Sequence, residues 1–277
     1  MGKYILKRIA LAFVTIWAVA TITFFLMNLV PGGPFLSEKA ISPAATKALE
    51  AKYGLDKPMA ERYFTYISDA AHGDFGDSLK QRGRTVMDII ATKFPVSAKL
   101  GGMAVVLALC VGVPLGVLAA YKRGTFIDSL FSVIATCGIA VPGFVICTLL
   151  LYVFGVKLQW LPTLGLKSAQ SYIMPVVALA AYPTSYIMRL MRSSMLDVLG
   201  QDYMRTAKAK GLSQKVSLFK HALRNAILPV ITYVGPMLAY TLTGSFVTEK
   251  IFTIPGLGGE FIKAINGRDY TMIMGTT

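Results

Sequence analysis

The chain has 277 residues, of which 55% are hydrophobic and only 15% are charged, with a mean hydropathy of +0.58. A soluble domain carries about 25% charged residues, so this composition excludes a soluble enzyme and fits a polytopic membrane protein. The net charge of +14 is then read as topology rather than as a nucleic-acid footprint, because Lys and Arg collect in cytoplasmic loops.

The chain opens with a short basic stretch holding Lys3, Lys7 and Arg8, and continues as an uncharged run over residues 9–30. At 1.5 Å per residue that run reaches about 33 Å, enough for a hydrocarbon core of about 30 Å. A secretory signal has a shorter apolar region of about 7–15 residues and a small-residue cleavage site, whereas this run ends in Pro31-Gly32-Gly33-Pro34. Residues 1–30 are therefore expected to be a retained first span with its N-terminus inside.

Residues 31–97 are polar and of mixed charge. Helices are predicted over 42–53, with Pro43 at a first helical position, over 58–71, and as an amphipathic piece over 84–94. Turn-rich stretches separate them at 54–58 and 72–78. The region is expected to form an extracytoplasmic cap. Beyond it, 98–277 is expected to be the core of an all-α membrane bundle. Its spans are 98–121 with Pro114, 130–156 with Pro142, 172–190 with Pro175 and Pro183, and 227–247 with Pro229 and Pro236. Lys122-Arg123-Gly124 reads as an inside turn. Residues 157–171, with Trp160, and 248–269, with two Pro/Gly turns, read as outside loops. Residues 270–277 turn apolar again, and the expectation is a sixth span that begins and is cut off.

Charge tests this arrangement. The inside segments hold thirteen cations: Lys3, Lys7, Arg8, Lys122, Arg123, Arg189, Arg192, Arg205, Lys208, Lys210, Lys215, Lys220 and Arg224. The two short outside loops hold five, and the long 31–97 loop is left out because long loops translocate regardless of charge. The bias supports an inside N-terminus. No buried Asp, Glu, Lys, Arg or His is expected within the spans, which argues against a proton or sodium relay. Cys110, Cys137 and Cys147 lie in apolar runs and read as small hydrophobes. His72 and His221 fall on opposite sides of the membrane, so no two-His metal site is expected. Asp74-Phe75-Gly76 reads as a turn.

The inside segment 191–226 contains the chemistry. Over 201–229 it places Arg205, Lys208, Lys210, Lys215, Lys220 and Arg224 with a single acid, Asp202. A helix is predicted over 201–211, ended by Gly211 as a left-handed cap. On it Tyr203, Ala207 and Gly211 fall four apart on one face. The physics leaves two readings open: cations that fix topology and touch anionic lipid, or a docking knob whose small residues admit another surface.

The same segment resembles the cytoplasmic loop of ABC-importer permeases, whose general pattern is E-A-A, three residues, G, then a later L-P. Here Arg205, Thr206 and Ala207 stand at the first positions, Gly211 at the glycine and Leu228-Pro229 at the closing pair. The departures are similar to the peptide-transporter branch, R-T-A-x-A-K-G-L followed by H-A-L-x-x-A-x-L-P, matched by residues 205–212 and 221–229. Further matches lie at His72-Gly-Asp-Phe-Gly76, Gly244-Ser245 with Glu249, Pro255-Gly-Leu-Gly258 and Arg268-Asp269-Tyr270. The whole chain looks most like the B-type membrane subunit of an oligopeptide ABC importer, in a branch that includes dipeptide, nickel and glutathione importers.

The resemblance implies a type I importer fold of about six spans and no enzymatic activity in this chain. Tyr203, Arg205, Thr206, Ala207, Lys208, Ala209, Lys210, Gly211 and Leu212 would dock a cytoplasmic ATPase. His221, Arg224 and Pro229 would tether that element to the fifth span. ATP and Mg would be bound by the partners: two ATPase subunits, with a second homologous permease and an extracytoplasmic peptide-binding protein completing the assembly. A membrane scaffold that only binds lipid is the reading of another class.

Overall fold

The computed structural model describes residues 1–29, 35, 43–213 and 216–277. The expected turn at Pro31-Gly32-Gly33-Pro34, the first residue of the helix predicted over 42–53, and Lys215 lie outside the described residues, as does the side chain of Lys208. Regular structure among the described residues is helical, apart from one isolated antiparallel bridge between Asp77 and Thr85. The helices are α1 (Gly2–Leu29), α2 (Pro43–Lys52), α3 (Met59–Ala71), α4 (Val86–Tyr121), α5 (Phe126–Ala140), α6 (Gly143–Leu150), α7 (Ile173–Leu199), α8 (Asp202–Ala209), α9 (Leu223–Ala226), α10 (Leu228–Leu242), α11 (Phe246–Ile251), α12 (Leu257–Gly267) and α13 (Tyr270–Thr276). A π-helical turn extends α6 over Leu151–Lys157, and another precedes α9 over Ser217–Ala222. Among the described residues, four helical segments are long and apolar enough to cross a membrane: Gly2–Leu29, Val86–Tyr121, Ala169–Leu199 and Leu228–Ile251.

The chain divides into two compact units, residues 1–93 with 260–277, and residues 94–259. In the first, Phe24 is the buried residue of α1. Its ring meets Tyr63 and Tyr66 of α3 at 5.3 and 6.1 Å, and Thr21 and Tyr63 share a hydrogen bond of 2.7 Å. Asp269 organises the rest of this unit. It caps α13 by accepting from the Met272 amide at 3.3 Å, as an Asp at an N-cap does, and also accepts from the Leu79 amide at 3.1 Å and from the Ser78 hydroxyl. Asp269 of the Arg268-Asp269-Tyr270 stretch is thus a buried cap, only 2% exposed, between two half-buried neighbours.

The second unit is a helix bundle with two apolar cores. One gathers Val105, Ala108 and Val117 of α4, Ile187, Met191 and Met195 of α7, and Val230 and Met237 of α10. The other gathers Leu100 and Ala104 of α4, Cys147 of α6, Met174 and Ala178 of α7, and Phe252 and Ile254. Small residues let these helices meet closely, as they do in membrane interiors. A Cβ built on Gly101 of α4 would stand 2.2 Å from the Thr241 carbonyl oxygen of α10.

Several bounds differ from those expected: α7 runs on to Leu199 where the predicted span ends at 190, and α10 stops at Leu242 where the predicted span reaches 247. The helix that carries the span predicted over 98–121 begins at Val86 and absorbs the amphipathic piece, running through Pro95 and Pro114. The segment predicted as one span over 130–156 is two helices, Phe126–Ala140 and Gly143–Lys157, bent by 103°. The cause is local: Pro142 has no N–H and restricts its predecessor to extended backbone, and Val141 sits at φ −77°, ψ 122°.

Candidate functional site

Helix α8 is short, polar and bracketed by turns. At its start Asp202 lies in the first turn, where a carboxylate complements the helix dipole, and Arg205 approaches it at 3.6 Å with both side chains in solvent. Past its end, the Leu212 amide donates to the Ala207 carbonyl at 3.3 Å, and Gly211 takes φ +75°, the left-handed conformation that glycine adopts without strain. The capping role expected of Gly211 is thereby realised in the backbone.

The helix has two faces. Met204 and Ala207, three apart, are 1% and 7% exposed. Met204 enters the first apolar core, beside Met195 of α7, Ala222 and Ala226. Arg205, Thr206, Ala209, Lys210, Gly211 and Leu212 face outward, and Tyr203 is 41% exposed. Ala207, placed by spacing on the same face as Tyr203 and Gly211, is turned inward. The small residue admits this chain's own bundle, and the outward surface is cationic with Tyr203 at its edge. The Asn225 amide donates to the Tyr203 hydroxyl at 3.0 Å, which joins α8 to α9.

The segment predicted as a tether follows. His221 is half-buried at the end of the π-helical turn, and its carbonyl accepts from Asn225 at 3.4 Å. Arg224 and Pro229 are exposed. Pro229 occupies the first turn of α10, where its missing N–H leaves no bond unmade. Ala222, Ala226 and Val230, spaced four apart, bury one continuous stripe into the core that holds Met204. α8 thus shares one packed apolar core with α7 and α10.

A second polar feature was not anticipated. Arg192 of α7 donates to both oxygens of Asp128 on α5, from Nε at 2.6 Å and Nη2 at 2.8 Å, and the Gly124 amide donates to the same carboxylate at 3.0 Å. Arg192 entered the charge count only as an inside cation. The signal available was the lone acid four residues after Lys122-Arg123-Gly124, in a region otherwise without acids. Among the described residues no cluster of three or more His, Cys, Asp or Glu could hold a metal ion.

Residues 112–277 match the family model described as binding-protein-dependent transport system inner membrane component, and residues 1–101 match the N-terminal model of the same systems. The chain belongs to this family. The dipeptide transport system permease protein DppB of Bacillus subtilis is 47% identical over 277 residues, covering 100% of this chain and 90% of that protein. The oligopeptide transport system permease protein OppB of Salmonella typhimurium is 43% identical over 279 residues, covering 100% and 91%. A solved structure of the methionine ABC transporter in inward-facing conformations matches with a TM-score of 0.54 and 16% identity, covering 68% of this chain and 88% of that one. That likeness shows the fold, the helix bundle of a type I importer permease. As a permease of this family, the chain is a transport component rather than an enzyme, and its apolar helices make it a multi-pass inner-membrane protein.

Proposed function

We propose that this permease is one transmembrane half of an ATP-powered peptide importer, and that residues 202–212 are its docking element for a cytoplasmic ATPase. Its N-terminus, the Lys122-Arg123-Gly124 turn and the 191–226 loop lie on the cytoplasmic side, where the positive-inside bias puts them. The named relatives transport dipeptides and oligopeptides, which supports a peptide substrate of either length. Two ATPase subunits holding ATP and Mg, a second homologous permease and an extracytoplasmic binding protein complete the assembly.

The single observation that carries this reading is the two-faced α8. Met204 anchors it in the core of the bundle, while Arg205 and Lys210 are displayed to solvent. A lipid anchor would need its cations and no rigid connection inward. A coupling element needs both an exposed recognition surface and a route for force. His221, Arg224 and Pro229 lie along that route, and closure of the ATPases would move α8 and, through Ala222, Ala226 and Val230, the start of α10.

The test is charge reversal at exposed positions, which leaves the Met204 anchor in place. Arg205→Glu with Lys210→Glu is expected to strip the ATPases from the affinity-purified permease and to lower peptide uptake by about tenfold or more, since like-charge contacts at an interface cost several kcal/mol. Unchanged co-purification together with unchanged uptake would sink the docking assignment.

A further inference from the structure

Four tyrosines in the second unit have no role in docking. Tyr182 and Tyr186 stand one turn apart on α7 with rings stacked at 6.3 Å, and Tyr186 meets Tyr233 of α10 at 4.4 Å. Tyr240 lies two turns further along α10. Tyr182, Tyr186 and Tyr240 are 48%, 36% and 75% exposed. Tyr182, Tyr233 and Tyr240 line a cavity of ≈ 580 Å³, together with Ser245, Thr248 and the Val141–Pro142 break between α5 and α6. None of the described residues that line it is Asp, Glu, Lys, Arg or His.

Position decides what this face can meet. Tyrosines of an interfacial belt sit at helix ends. Tyr182 and Tyr186 instead fall in the middle of the Ala169–Leu199 segment, roughly 20–25 Å from its start at 1.5 Å per residue. None of the four hydroxyls is hydrogen-bonded within the described residues. Lipid chains offer no partner for a hydroxyl, and burying one unpaired costs about 1–3 kcal/mol. A row of such groups beside a concavity therefore faces water or a polar occupant. Phenol and hydroxyl groups can donate to and accept from amides, and an uncharged wall does not select among side chains by charge.

We infer that the Tyr182, Tyr186, Tyr233 and Tyr240 face, with Ser245 and the Val141–Pro142 break, is this chain's share of the wall of the translocation pathway, and that it contacts the amide backbone of the passing peptide. The inference deepens the proposed function and rests on it for the identity of the occupant.

The experiment uses the assembled transporter in membranes, with Cys110, Cys137 and Cys147 replaced by Ser. Single cysteines are placed at Tyr182, Tyr240 or Ser245, and at Ile231, which lies half a turn around α10 from Tyr240, on the opposite face. A charged, membrane-impermeant methanethiosulfonate is expected to label the three wall positions about tenfold or more faster than Ile231→Cys, because the reactive thiolate forms in water and is suppressed in apolar surroundings. A saturating uncharged tripeptide, supplied with the binding protein and ATP, is expected to slow wall labelling and leave Ile231→Cys unchanged. Ser245→Cys keeps the test open if a tyrosine variant fails to assemble. Wall labelling no faster than at Ile231, or wall cysteines shielded in every nucleotide state and crosslinked to the second permease, would overturn the assignment. Fast labelling without peptide protection in a transporter that takes up peptide overturns the backbone contact. Failure of the unmodified transporter to take up any peptide strikes the proposed substrate instead.

Discussion

Replacing Arg192 with alanine is expected to destabilise the permease by about 3 kcal/mol, because it leaves a buried carboxylate without its cation. The Asp128 side chain is 8% exposed and both its oxygens are bound by one guanidinium. That bidentate geometry makes Arg hard to replace, since Lys offers a point charge and no fork. Arg192 itself is 29% exposed, so its loss from the surface side costs little, and the penalty resides in the stranded Asp128. The double variant Arg192→Ala with Asp128→Asn removes the charge as well and is expected to recover much of the loss. Thermal unfolding of the detergent-purified complex measures both. If Arg192→Ala melts with the parent, or if Asp128→Asn fails to relieve it, the pair is not a charge clamp between α5 and α7.

The second large effect concerns Glu249, at 0% exposure. Its carboxylate accepts from the Ser97 hydroxyl at 2.6 Å and from the Gly259 amide at 2.8 Å, and the Ser97 oxygen in turn accepts from the Leu257 amide at 2.8 Å. Gly244, Gly256 and Gly258 close around this network. A Cβ on Gly256 would stand 2.5 Å from both the Glu249 carboxyl carbon and the Ser97 oxygen, and one on Gly244 would stand 2.6 Å from Glu249 Oε1. Gly244 is also held at φ +97°. Glu249→Ala is expected to cost about 1–3 kcal/mol, as a buried amide and hydroxyl lose their hydrogen-bond partner at once. Gly256→Ala is expected to cost about 1–3 kcal/mol by overpacking the same spot. Glu249→Gln keeps the shape and is expected to fall between the parent and Glu249→Ala. Equal stability of Glu249→Ala and the parent in the same unfolding assay would show that the loop does not depend on this network.

The helical, membrane-embedded character of the chain was legible in composition and in run length, because a hydrocarbon core demands long apolar helices and little else. The helix of the basic island between two apolar runs was legible too, together with the glycine that ends it. Which face of α8 points inward was not legible. Spacing groups Ala207 with Tyr203 and Gly211, but Met204 at one residue's remove from Tyr203 is the better anchor, and its burial turns Ala207 with it. Pro142 was visible as a proline within an apolar run, yet prolines are tolerated in such runs, and nothing local distinguishes a shallow kink from the 103° break seen here. The Asp128–Arg192 and Ser97–Glu249 contacts join residues 64 and 152 positions apart. Pairings of that separation are set by how helices assemble, and one sequence holds no local signal for them. Glu249 stood among the motif residues of an expected outside loop; it instead falls, fully buried, within the apolar Leu228–Ile251 segment, which corrects the expectation of spans without a buried acid. Only its complete burial reveals that the surrounding glycines leave room for a carboxylate.

The measurement that bears most directly on the docking of residues 202–212 is proximity to the ATPase in the working complex. A cysteine at Arg205 or Lys210, in a permease with Cys110, Cys137 and Cys147 replaced, is treated with a short bifunctional maleimide in membranes that contain the ATPases. A permease–ATPase adduct is predicted from both positions, and none from a cysteine at Phe64, an exposed residue of α3 in the segment that the proposed topology assigns to the extracytoplasmic side. Adducts from Phe64→Cys, or none from positions 205 and 210 in a transport-competent complex, would contradict it.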